Sequence, residues 1–130
     1  MPARKSALEE ILVSYLIANF PEIVIIQRSR AIKKTRSGKS RYEIDVYLPE
    51  LRLGFEVQDF ATHSKGSDQE KGHPWRRNGL KNGPKLHELK RRLAKEQLHV
   101  DIVDIWEDEL RSGEFKRLVS EQINSRCDRI

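Results

Sequence analysis

Apolar residues return at helical intervals near the start of the chain, where Leu8, Ile11, Leu12, Tyr15, Leu16 and Phe20 follow a 3.6-residue period. Ser6 stands as a cap with Glu9 three residues on, so the pattern predicts a first helix over about residues 6–19, ended by Pro21. The β-branched run IVIIQ, residues 23–27, predicts a buried strand, and the basic stretch KKTRSGKS, residues 33–40, a turn. YEIDVYL and LRLGFEV then alternate as the arms of a hairpin meeting at Pro49 and Glu50. Residues 59–84 lack periodicity and hold four of the seven glycines and two of the five prolines, which predicts a long loop. Leu86, Leu89, Leu93 and Gln97 mark one face of a second helix, and VDIVDIW, residues 100–106, a fourth strand. Leu110, Phe115, Leu118, Val119 and Ile123 set the apolar side of a last helix from about Glu107. The order is αβββαβα, an α/β chain of one domain over residues 1–130 with a mixed four-stranded sheet flanked by helices.

Parity sorts the hairpin into two faces. If Leu48 pairs with Leu51, Asp45 lies opposite Gly54, and Glu56 and Gln58 follow on the same side. Tyr42, Ile44, Val46, Leu53, Phe55 and Val57 take the other, apolar side. Glu43, Asp45 and Glu56 would repel one another at neutral pH unless a cation sits among them, and Gly54 leaves open space opposite Asp45. On the first helix Glu9 points with the apolar residues toward the sheet, whereas Glu10 lies at the rim. A buried Glu9 calls for a metal, a cation or a proton; a capping-box bond back to Ser6 is the alternative.

Charge adds a partner to this picture. A formal +5 and a pI near 9.5 favour an anionic partner, nucleic acid foremost. Charged residues make up 35% of the chain, and no apolar run approaches the ~20 residues of a bilayer span, so a soluble protein with no membrane partner is expected. The start MPARKSALEE has no secretory apolar core, which implies a cytoplasmic location. Cys127 is alone and excludes an internal disulfide or a multi-cysteine zinc site.

Helical Glu9, Asp45 on the second strand and Glu56-x-Gln58 on the third, in the order αβββαβ, resemble the PD-(D/E)XK nuclease fold. The resemblance extends to the branch of very-short-patch repair endonucleases and phage-borne free-standing homing endonucleases. Its carriers are Glu43, Asp45, Tyr47 and Pro49, then Glu56, Gln58 and THS at residues 62–64, then His87 and Lys90, then IWEDEL at residues 105–110. Asp59, Thr62 and Gln58 stand where the pattern has glycine, tryptophan and, in the wider fold, lysine. Lys90, near the leucine face of the second helix, is the candidate to supply the missing charge, with His87 on its flank.

The resemblance implies a restriction-endonuclease-like core and Mg²⁺-dependent hydrolysis of phosphodiester bonds in double-stranded DNA, with Mn²⁺ as a substitute ion. Asp45 and Glu56 would ligate the metal, and Glu9 would bind a second ion or orient its water. His63 would serve as general base or leaving-group acid, and Lys90 and His87 would steady the phosphate. In the long loop Lys71, Arg76, Arg77, Lys81 and Lys85 surround Trp75, an arrangement suited to neutralising phosphates while the indole stacks on or wedges between bases. Trp75 tucked against the core is the equal alternative. A metal-dependent DNA endonuclease is the leading reading, with a phage homing-type enzyme one form of it and a homodimer one assembly open to it. A non-catalytic DNA-binding module of the same fold and a structure-selective repair or junction nuclease are the rivals.

Overall fold

The computed structural model describes residues 4–58 and 83–127, with side chains over 7–58 and 88–127. Helix α1 (Arg4–Asn19) buries Leu8, Leu12 and Leu16, spaced at i and i+4, while Ile11 stays 39% exposed at the edge of that stripe. Three strands follow, β1 (Ile26–Lys33), β2 (Arg41–Leu48) and β3 (Leu53–Gln58), then α2 (Gly83–Leu98) and β4 (Asp101–Trp106). Two helices close the described chain, α3 (Glu107–Ser112) and α4 (Phe115–Cys127). The sheet order is β1-β2-β3-β4, antiparallel except for the parallel β3–β4 pair. The result is an α/β fold with a mixed four-stranded sheet flanked by helices. No described helix is long and apolar enough to cross a membrane.

Several expectations shift. The first strand is not the buried run at residues 23–27; it starts at Ile26, runs through Lys33 and buries only Ile32. It is an edge strand, and backbone pairing with β2 carries it through charged residues that face solvent. The last helix breaks at Gly113, whose φ of 88° ends α3 in a left-handed cap. Pro84, placed in the loop from sequence, is the second residue of α2, where its missing N–H costs nothing.

The hairpin register also differs. Leu48 pairs with Leu53 and Tyr47 with Gly54, because Pro49–Leu51 forms a 3₁₀ turn and Arg52 takes a left-handed φ of 51° to close it. Two extra residues in the turn shift the register by two, which sets Asp45 beside Glu56 rather than Gly54.

Both faces of the sheet are packed. Val46, Leu48, Leu53, Phe55 and Val57 join the α1 residues, Ile105 and the apolar side of α4 in the main core. Strict alternation would put Ile44 there too, but it packs instead with Ile32, Ala94 and Val100 beneath α2, with Tyr42 and Tyr47 alongside. A Cβ on Gly54 would lie 2.8 Å from Ile44 Cγ2, so the space above Gly54 is filled by Ile44 rather than open.

Candidate active site

The described β2–β3 pairing reaches Val46 and Phe55, and beyond it two carboxylates take over. Glu56 Oε2 accepts the Asp45 N–H at 2.9 Å, and Asp45 Oδ2 accepts the Val57 N–H at 2.9 Å. Each acid is 6% exposed and grips the neighbouring strand through its backbone. From α2, Lys90 Nζ comes within 2.5 Å of Glu56 Oε1. Burial pushes the Glu56 carboxyl above its ordinary range and the Asp45 carboxylate adds to the rise, while Lys90 pulls the other way.

Further polar groups border this pair. Gln58, 3% exposed, donates from Nε2 to Asp104 Oδ1 at 3.1 Å, and Asp104 also pairs with the Arg91 guanidinium. Asp104 lies beside Glu56 in the parallel register of β3 and β4. On α1, Glu9 is 4% exposed with Arg28 Nε 3.7 Å from its Oε1. Arg28 sits between Gln27, which pairs with Val46, and Ser29, which pairs with Ile44, and so lies beside Asp45 with φ 53°.

The structure thus brings Asp45, Glu56 and Lys90 together, with Gln58 tied to Asp104 next to them. Glu9 meets Arg28, and among the described residues no three His, Cys, Asp or Glu side chains form a group able to hold a metal ion. His63, Lys71, Trp75, Arg76, Arg77 and Lys81 lie outside the described residues, and His87 and Lys85 fall in α2 with their side chains outside them. A groove of about 760 Å³ between α1 and the α3–α4 pair, lined by Ser14, Tyr15, Leu110 and Phe115 among others, includes neither Asp45 nor Glu56.

Sequence reasoning missed Arg28, Arg91 and Asp104. Asp104 carries one local signal, an acid interrupting the apolar run VDIVDIW. Arg28 and Arg91 carry none, since each finds its acid on a different secondary-structure element. Comparison with protein-family models, curated proteins and solved structures finds no match for this chain.

Proposed function

We propose that this chain is a metal-dependent endonuclease acting on double-stranded DNA. One observation carries the reading: two buried carboxylates from adjacent strands lie together, with a lysine ammonium on one of them. Such a pair is costly to bury for packing alone, and perturbed carboxyls of this kind concentrate at reaction centres.

The donor set suits Mg²⁺ or Mn²⁺. Asp45 and Glu56 offer hard oxygens, and the Glu56 carboxyl is raised in part by its neighbour's charge, a repulsion that a divalent ion relieves. Such an ion, when bound, supplies positive charge beside the phosphate and a water of lowered pKa. Lys90 adds fixed positive charge of the kind the amide of Gln58 cannot provide. Gln58, tied to Asp104, orients by hydrogen bonding. Arg28, which meets Glu9, lies beside Asp45 in the β1–β2 register, and His63 and His87 would take the proton-transfer and phosphate-steadying roles.

A non-catalytic nucleic-acid-binding module is the second reading. It is favoured by the engagement of at least three of the four Asp45 and Glu56 oxygens by Lys90 and two backbone N–H groups. Supercoiled plasmid incubated with Mg²⁺ separates the two. Cutting by the wild type that disappears in Asp45→Ala, with binding retained, supports the nuclease; binding without cutting by either protein supports the module.

A further inference from the structure

The net charge of this chain is concentrated in one hairpin. Residues 28–41, RSRAIKKTRSGKSR, hold seven of the 25 Lys and Arg and none of the 20 Asp and Glu. Elsewhere 18 cationic residues face 20 acidic ones, so the whole +5 excess belongs to this segment. It spans most of β1, the turn and the first residue of β2. Arg28, Arg30, Lys33, Lys34, Arg36 and Lys39 are all exposed. Among the described residues no carboxylate pairs with Arg30, Lys33, Lys34, Arg36, Lys39 or Arg41; Arg28 has Glu9.

These charges ride on a braced backbone. The Gln97 side chain accepts the Lys33 N–H at 2.8 Å and donates to the Lys33 carbonyl at 2.8 Å, tying the edge strand to α2. Arg41 is spent inside the hairpin, donating from Nε to the Gly38 carbonyl at 2.9 Å and from Nη1 to the Arg30 carbonyl at 3.1 Å. The Lys34 N–H donates to the Ser40 carbonyl at 2.9 Å to close the turn, and Gly38 takes a φ of 73° within it.

Register places this arm beside the carboxylates. Arg28 stands next to Asp45, and Lys33 pairs with Arg41, four residues or roughly 14 Å further along β2. The turn therefore projects past the end of the sheet where β3 and β4 finish and where Glu56 and Asp104 lie. Like charges along the exposed edge oppose pairing with a second copy of the same strand. A polyanion with regularly spaced charge answers both the density of cations and the lack of a carboxylate partner, among the described residues, for Arg30, Lys33, Lys34, Arg36 and Lys39.

We infer that the β1–β2 hairpin is the arm that grips a nucleic-acid backbone, with Arg30, Lys33, Lys34, Arg36 and Lys39 on phosphates, so that the strand runs past Asp45 and Glu56. The inference rests on the proposed nucleic-acid partner and adds the surface that holds it.

Anisotropy of a short labelled duplex in EDTA measures binding apart from cutting. The variant Arg30→Ser/Lys33→Ser/Arg36→Ser/Lys39→Ser spares Arg41 and Gln97, which brace the fold, and an unchanged thermal melt certifies it. Its affinity is expected to fall at least about tenfold, and the slope of log affinity against log salt to flatten by about 0.9 for each phosphate no longer neutralised. Wild-type affinity and slope in this variant overturn the arm, even where Mg²⁺-dependent cutting persists. Wild-type protein that binds phosphatidylserine vesicles and not the duplex overturns it too. Duplex binding that depends on the hairpin, in a wild type that cuts no DNA, upholds the arm while removing the nuclease reading.

Discussion

The Lys90 ammonium lies 2.5 Å from Glu56 Oε1, joining α2 to the third strand at a pair whose side chains are only 16% and 7% exposed. Truncating one partner of such a pair strands the other charge in a poorly hydrated place. Lys90→Met is expected to cost about 3 kcal/mol at neutral pH. Urea melts check this, and adding Glu56→Gln to the variant should restore part of the loss.

Protonation of Glu56 gives a pH signature in the metal-free protein. Its folded-state pKa is raised above the ordinary 4.5, chiefly by burial and then by Asp45. The folded state thus holds this proton more tightly than the unfolded chain. The contribution is fully present below the ordinary value and is lost as pH rises through the raised one. Asp45→Asn removes the like charge, so the Glu56 midpoint should move down in a carboxyl NMR titration; a midpoint that stays put refutes the coupling.

Asp101 works with the opposite sign. A hydrogen bond from Lys95, aided by Arg126, holds its carboxyl below the ordinary 3.8. Its contribution is present above that value and fades as pH falls through the lowered one. Solvent screens the site, because the Asp101 side chain is 45% exposed, so the effect is small. Acid denaturation of Asp101→Asn should show a slightly shallower low-pH limb than the wild type.

Gly54 is required by contact. An added Cβ meets Ile44 Cγ2 at 2.8 Å, so Gly54→Ala should destabilise by about 1–3 kcal/mol through overpacking. Pairing it with Ile44→Ala should recover part of that loss in denaturant melts if the clash is the cause.

Gln97→Ala removes both bonds to the Lys33 backbone. The expected loss is about 1–2 kcal/mol. Amide exchange at Lys33 should accelerate more than at Val46, in the middle of the sheet.

Much of the architecture is written locally. The spacing of Leu8, Leu12 and Leu16 states which side of α1 is buried, and alternation from Leu53 to Val57 states which residues of β3 enter the main core. Helical period likewise allows Lys90 to be aimed at the acids of the hairpin, because direction on a helix follows from position in the sequence.

Tertiary packing decided the rest. A four-residue turn closed by Arg52 set Asp45 beside Glu56, and Ile44 crossed to the cluster beneath α2 because the missing side chain of Gly54 makes room for it. Arg28 against Glu9 and Arg91 against Asp104 leave no periodic trace, because a charge pairs with whatever opposite charge the fold carries to it. Periodicity along a chain determines which way a side chain faces; what it faces depends on how distant segments are brought together.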